Sequence, residues 1–169
     1  MPELYVDFAK RDARFREVSP YFVGARMLRQ DPLECLFSFI CSSNNHISRI
    51  HGMVERLCST YGTSLGLVAA NEGEPPQEYF AFPTLEQLTA ATDEALRRDG
   101  FGYRAKFVVG TVAALREKDG GGAAWLTALR TAPYDHAVKE LITLPGIGPK
   151  VRALSRLGWP SERRESVAT

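Results

Sequence analysis

One lysine near the C-terminal end of the 169-residue sequence directly follows a run of glycine and proline. The run is Leu-Pro-Gly-Ile-Gly-Pro at positions 144–149, and the lysine is Lys150. Glycines at Gly146 and Gly148 allow positive φ angles and let a backbone approach another molecule closely. A helix beginning near Pro149 would point its unpaired N–H groups at the turn, where an anion can bind. The spacing therefore predicts either a phosphate-binding turn or a plain connection between two helices.

Lys150 has two interpretations at this position. An ammonium group is electrostatically disfavoured at the positive end of a helix, which favours the neutral amine. A neutral amine is a nucleophile that can attack a sugar carbon and form a Schiff base. The alternative is an ordinary solvated surface lysine.

The composition is that of a globular protein, with 44% hydrophobic and 24% charged residues. A net charge of +1 indicates no particular partner, so nucleic-acid binding must be argued from local placement. Cys35, Cys41 and Cys58 fall within apolar helical patterns and are predicted to be core thiols rather than metal ligands. We therefore predict no metal and no cofactor, and we expect neither a membrane span nor a secretory leader.

The elements that must position these groups are helices. Asp31 and Pro32 predict a helix start, and an apolar stripe follows to Ile40. The polar residues 42–45 then interrupt it. A second stripe, formed by Ile47, Ile50, Val54 and Leu57, is predicted to stop at Gly62.

The second half of the sequence continues in the same manner. Residues 63–83 predict a loop with a short extended piece, and Thr84 opens a capping box for one helix that reaches Gly100. Residues 101–104 predict a turn into a helix carrying Phe107 and Leu115, and two short helices follow, one of them beginning at Pro133. About seven helices and almost no alternating pattern predict an all-α fold.

Several motifs resemble one enzyme family. Residues 28–45, Leu-Arg-Gln-Asp-Pro-Leu-Glu-Cys-Leu-Phe-Ser-Phe-Ile-Cys-Ser-Ser-Asn-Asn, resemble the eukaryotic 8-oxoguanine DNA glycosylases almost residue for residue. Residues 52–58 and 102–105 continue the match in order, and residues 144–150 resemble the helix-hairpin-helix signature of the wider DNA glycosylase superfamily. The resemblance implies a helix-hairpin-helix glycosylase fold.

The resemblance also implies an activity: removal of 8-oxoguanine opposite cytosine from duplex DNA, followed by strand cleavage as an apurinic-site lyase. Such enzymes flip the damaged base out of the duplex. Lys150 would then be the Schiff-base nucleophile, and Gly146 and Gly148 would grip a phosphate. By the same resemblance the partner is damaged duplex DNA, the protein is a monomer, and it acts in the nucleus and in mitochondria. A cation held by hairpin backbone carbonyls is left open.

Four further residues would handle the opposite strand. By resemblance, Asn44 would fill the space left by the flipped base, Arg49 and Arg104 would hydrogen-bond the unpaired cytosine, and Tyr103 would wedge into the base stack. Each has a simpler alternative: Asn44 as a helix cap, the arginines as solvated helix residues, and Tyr103 as a core aromatic.

The resemblance ends at Val151. We therefore divide the chain into a partial helix-hairpin-helix glycosylase domain, residues 1–151, and a divergent tail, residues 152–169. The family carries a catalytic aspartate beyond the lysine, further pocket helices and an N-terminal β-rich domain. No aspartate follows Lys150, and we expect the pocket helices and the β-rich domain to be missing as well. We expect a member of this family that is truncated at both ends and has impaired activity. The alternatives are a catalytically inactive DNA-binding isoform and an unstable fragment.

Overall fold

The computed structural model describes residues 2–22, 29–69 and 75–148, with side chains from Tyr5 onward. The described part is mostly helical, as predicted, and adds one small sheet. The elements are α1 (Pro2–Arg11), α2 (Ala13–Val18), a 3-10 turn (Ser19–Tyr21), α3 (Pro32–Cys41), α4 (Ile47–Tyr61), β1 (Ser64–Val68), β2 (Gln77–Phe80), α5 (Leu85–Leu88), α6 (Asp93–Arg98), α7 (Arg104–Arg116), α8 (Gly122–Leu129) and α9 (Tyr134–Leu141).

Helix α3 begins where the sequence predicts. The Asp31 side chain accepts hydrogen bonds from the backbone N–H groups of Leu33 and Glu34, and Pro32 lies in the first turn. The predicted apolar stripe is buried, with Phe37 and Ile40 fully inaccessible. The face that α3 presents to the rest of the domain is therefore confirmed.

Helix α4 has the predicted extent and ends at Gly62, but its stripe is only partly buried. Met53 and Leu57 are inaccessible, whereas Ile47 is 86% exposed. The prediction that Ile47 belongs to the apolar core face was wrong. Ile47 is the first residue of α4, directly after the turn that follows α3, and lies too far out to reach the core.

The helix predicted from Thr84 to Gly100 is in fact two short helices. The capping box at Thr84 is present, but α5 ends after one turn at Leu88. A second cap then starts α6, because the Thr92 hydroxyl accepts a hydrogen bond from the Ala95 N–H. A threonine side chain that binds its own backbone competes with continued helix, and here it outweighs the apolar periodicity.

The predicted extended piece is a two-stranded antiparallel sheet, β1–β2, with an irregularity between Ser64 and Gly66. The helix predictions begin at Asp31 and do not cover α1 and α2. These two helices pack through aromatic rings, with the ring centres of Tyr5 and Phe8 lying 5.5 and 5.7 Å from that of Phe15. None of the described helices has the length and apolar character that crossing a bilayer requires.

The core lies between α3, α4 and α7. Its largest inaccessible side chains include Phe37, Met53, Phe101 and Leu115. Helices α8 and α9 close it with Leu126 and Leu141, and the chain leaves α9 through the buried Leu144 and Ile147. The consequence for function is that the ends of α3, α7 and α9 are held by one packed unit.

Candidate nucleic-acid interface

The turn that ends α3 contains a strained residue. Asn44 has a φ of 44°, and no other non-glycine residue in the described part of the chain has a positive φ. This left-handed region is several-fold enriched in asparagine but still costs energy relative to helical backbone. Asn44 is exposed. The predicted gap-filling residue therefore sits at a helix end in a conformation that surrounding contacts must maintain.

Those contacts come from the start of α7. Arg104 donates from Nε to the Ser43 carbonyl over 2.8 Å and from Nη2 to the Asn44 carbonyl over 2.8 Å, and Nη2 also donates to Ser43. The Tyr103 hydroxyl donates to the same Ser43 carbonyl over 3.1 Å. The structure thus brings three of the predicted DNA-contacting residues, Asn44, Tyr103 and Arg104, into one hydrogen-bonded group.

Arg104 is a buried cation, with 3% of its surface exposed. Its acceptors are backbone carbonyls, including that of Phe101 at 3.5 Å, and among the described residues no carboxylate forms an ion pair with it. The guanidinium also lies 4.7 Å from the centre of the Tyr103 ring. Arg104 therefore holds the turn that follows α3 in this structure.

Tyr103 is half exposed, with 46% of its surface accessible. Its ring packs on Phe107, one turn further along α7, with ring centres 5.8 Å apart at 82°. Its hydroxyl is held at Ser43. The ring is thus fixed at two points and remains partly exposed, as stacking against a base would require.

Arg49 lies on the exposed first turn of α4 and is less constrained than Arg104. One nitrogen, Nη2, donates to the carbonyl of Gly100 over 3.0 Å, which places Arg49 beside the turn that leads into Tyr103. The helix start is capped by His46, whose Nδ1 accepts from the Arg49 N–H over 3.4 Å and contacts the Ser48 hydroxyl at 2.9 Å. Arg49, the fourth residue predicted to contact the opposite strand, is therefore linked to this group through the Gly100 carbonyl.

The glycine turn after α9 is held by packing. Gly146 has a φ of 77°, and a Cβ added there would lie 2.5 Å from Cγ of Phe107. The Thr111 hydroxyl donates to the Pro145 carbonyl over 3.0 Å, and the Pro145 ring lies close to Gly110. Both conformation and space demand glycine at position 146.

Gly148 differs from Gly146 in both respects. Its φ is outside the left-handed region, and a Cβ added there would meet no described atom within 4 Å. Neither the backbone conformation nor the packing of the described residues accounts for a glycine at this position. Lys150, the predicted nucleophile, lies outside the described residues, as does the predicted tail 152–169.

Phe107 and Ser43 are the members of this surface that sequence reasoning missed. Phe107 contacts both Tyr103 and Gly146. It therefore connects the start of α7 with the glycine turn after α9. Its four-residue spacing from Tyr103 could have indicated the first contact. Ser43 acts mainly through its backbone carbonyl, which every residue type has, so no sequence signal marks it.

The cysteines are free thiols in the core or at its edge, as predicted: Cys41 is buried, and Cys35 and Cys58 are half-buried. Burial raises the pKa of the Cys41 thiol to about 12, against the opposing attraction of the Arg104 and Arg56 charges. Burial likewise raises the pKa values of Cys35 and Cys58. These thiols stay protonated at neutral pH and are poor nucleophiles.

Two family models match the chain. Residues 37–166 match the HhH-GPD superfamily base excision DNA repair protein, and residues 1–36 match the N-terminal domain of 8-oxoguanine DNA glycosylase. Their boundary falls within the predicted domain 1–151, and the first match extends into the predicted tail. The division at residue 151 stays a prediction.

Named relatives agree with these matches. The chain is 49% identical over 153 residues to "N-glycosylase/DNA lyase OGG1" of Arabidopsis thaliana, covering 90% of this chain and 40% of that protein. It is 40% identical over 147 residues to "N-glycosylase/DNA lyase" of Saccharomyces cerevisiae, covering 83% of this chain and 37% of the relative. The chain therefore spans about two fifths of the length of these relatives.

Solved structures show the same fold. The apo form of the Clostridium acetobutylicum 8-oxoguanine glycosylase/lyase superposes with a TM-score of 0.77 at 28% identity, covering 94% of this chain and 51% of that one. The same enzyme in complex with double-stranded DNA containing cytosine opposite 8-oxoguanine gives 0.75 at 28% identity, covering 94% and 50%. The resemblance found in the sequence motifs is confirmed. The chain belongs to the HhH-GPD superfamily of base excision DNA repair proteins.

Proposed function

We propose that this chain binds damaged duplex DNA and acts in base excision repair as an N-glycosylase and DNA lyase directed at 8-oxoguanine opposite cytosine. The names of its relatives support both activities, and the DNA-bound neighbour supports the substrate. Action as a monomer, in the nucleus and in mitochondria, is part of the same proposal.

The observation that carries the proposal is the open space at Gly148. Glycine there is required by neither φ nor internal packing among the described residues. A glycine is useful at such a point because a backbone without Cβ can come within hydrogen-bonding distance of another molecule. A DNA phosphate is the ligand that this chemistry favours, since free backbone N–H groups beside a glycine turn bind anions.

Reading of the opposite strand is assigned to the surface around Asn44. Arg49 is exposed, and among the described residues its side chain makes a single hydrogen bond, which leaves most of its donors for the O2 and N3 acceptors of a cytosine. Arg104 has five N–H groups, four of which already have carbonyl acceptors, so it must release some of them to bind a base. Of the two arginines, Arg49 is the more accessible reader in the DNA-free state.

Lys150 is proposed as the nucleophile. Its Nζ would attack C1′ of the damaged nucleotide, the bond from C1′ to the base would break, and the base would leave with the bonding electron pair and take up a proton. Nζ would then lose a proton and the C1′–O4′ bond would break, with O4′ taking the electron pair and a proton, to give an imine between Nζ and C1′. Loss of a proton from C2′ of this imine would permit elimination of the 3′ phosphate. On a sugar that has already lost its base, imine formation needs only the amine and the aldehyde, with loss of one water.

Borohydride trapping tests this assignment. Reduction of the imine joins protein and DNA covalently, so the 169-residue chain should be trapped on an abasic duplex and Lys150→Gln should not. Lys139→Gln, which removes an exposed lysine of α9, is the matched control and should trap like the wild type. Trapping that survives Lys150→Gln would assign the reaction to another amine.

A further inference from the structure

The Ser43 carbonyl receives hydrogen bonds from two consecutive residues at the start of α7, the N-cap Tyr103 and Arg104. Tyr103 donates its hydroxyl over 3.1 Å, and Arg104 donates Nε over 2.8 Å together with Nη2. Arg104 Nη2 also donates to the Asn44 carbonyl over 2.8 Å. Tyr103 is therefore attached to the turn by its hydroxyl, and Arg104 is attached by its guanidinium.

These two carbonyls belong to the two peptide groups that flank the Cα of Asn44. A peptide group is planar, so a hydrogen bond to the Ser43 oxygen orients the whole plane that ends at the Asn44 nitrogen. A hydrogen bond to the Asn44 oxygen orients the next plane. Holding both planes fixes φ and ψ between them, which explains how Asn44 keeps a φ of 44° on an exposed turn.

We propose that Tyr103 and Arg104 are positioning residues for Asn44, and that the Tyr103 hydroxyl couples its ring to the Asn44 turn so that the two approach DNA as one unit. The inference deepens the proposed function and rests on it. For a stacking wedge alone, the ring suffices, and phenylalanine would serve equally well. The hydroxyl has a separate task, because it joins the ring to the backbone one residue before Asn44.

Tyr103→Phe isolates that task, since it keeps the ring and its packing on Phe107 and removes one oxygen. Tyr79→Phe, the same change on strand β2, is the matched control. Affinity is measured for duplexes that carry 8-oxoguanine opposite cytosine and opposite adenine. We expect Tyr103→Phe to lower the ratio of the two affinities about 3- to 10-fold, the size of one lost hydrogen bond, while the melting temperature stays within a few degrees. Tyr79→Phe should leave the ratio unchanged.

A second readout needs no DNA. In the wild type, the Arg104 Nε–H is buried and bonded, so its NMR signal should persist and the Asn44 backbone amide should give one sharp resonance. In Tyr103→Phe the Asn44 resonance should shift or broaden, whereas in Tyr79→Phe it should not. An unchanged Asn44 resonance overturns the positioning role, as does an unchanged affinity ratio or an equal loss of affinity for both duplexes. A wild-type ratio of one would contradict the proposed function instead, and the NMR result would still decide the inference.

Discussion

The turn after α3 and the turn after α9 are held in different ways. Phe107 links them, because it packs on Tyr103, which is hydrogen-bonded to the first turn, and on Gly146 in the second. The first contains the strained Asn44 and is kept in place by side chains that reach across from Tyr103 and Arg104. The second, at residues 145–148, is kept in place by the absence of a side chain at Gly146, which lets the backbone close on Phe107. A turn held by donors can exchange them for a ligand, whereas a turn held by packing is rigid. The first suits recognition of a base and the second suits a fixed grip on phosphate.

The largest expected effect comes from filling the packed turn. Gly146→Ala places a Cβ against the Phe107 ring and forces alanine into the left-handed region. These two penalties should together lower the free energy of unfolding by about 2–5 kcal/mol. Urea denaturation measures it, with Gly148→Ala as the control that should change stability by less than about 0.5 kcal/mol.

A double variant separates the two penalties. Adding Phe107→Ala to Gly146→Ala should recover much of the steric part and leave the conformational part, measured against Phe107→Ala alone, because alanine lacks the Cγ that lies 2.5 Å from the added Cβ. If Gly146→Ala unfolds at the same urea concentration as the wild type, the turn is not held by packing and the contrast between the turns is lost.

A smaller effect is expected from removing the donors of the first turn. Arg104→Met retains much of the buried volume but leaves the Ser43 and Asn44 carbonyls without their charged partner, at a cost of about 2–3 kcal/mol in unfolding free energy. Arg104→Lys should not restore it, because one ammonium cannot span both carbonyls as a guanidinium does. Arg49→Ala, at an exposed site with one hydrogen bond, should cost less than about 0.5 kcal/mol. Equal stability of all three variants would contradict the role of Arg104 in holding the turn after α3.

The sequence predicted most of the helices, and the reasons are local. Asp31 and Pro32 mark the start of α3, and the glycines after α9 mark a turn, because caps and turns depend on neighbouring residues alone. The motifs also grouped Asn44 and Tyr103, which the structure brings to one surface, and their contact with DNA stays a prediction.

What the sequence could not show depends on distant contacts. The hydrogen bonds from Arg104 to Ser43 and Asn44 join residues 61 and 60 positions apart, and the acceptors are backbone atoms, which carry no sequence signal. The contact between Phe107 and Gly146 likewise joins α7 to the turn after α9. The split between α5 and α6 was missed for another reason: one threonine cap at Thr92 outweighed the apolar spacing.

The two turns are proposed to have different roles: the turn after α9 binds phosphate, and the surface around the turn after α3 recognises the opposing base. The most direct test measures the affinities of Gly148→Ala and Arg49→Ala for duplexes with 8-oxoguanine opposite cytosine and opposite adenine, at one fixed salt concentration. Gly148→Ala should bind both duplexes about 10-fold more weakly than the wild type, because a Cβ obstructs a backbone contact that carries no sequence information. Arg49→Ala should lose about 10-fold for the cytosine duplex and little for the adenine duplex. Equal losses of Arg49→Ala on both duplexes, or full affinity of Gly148→Ala, would contradict this division.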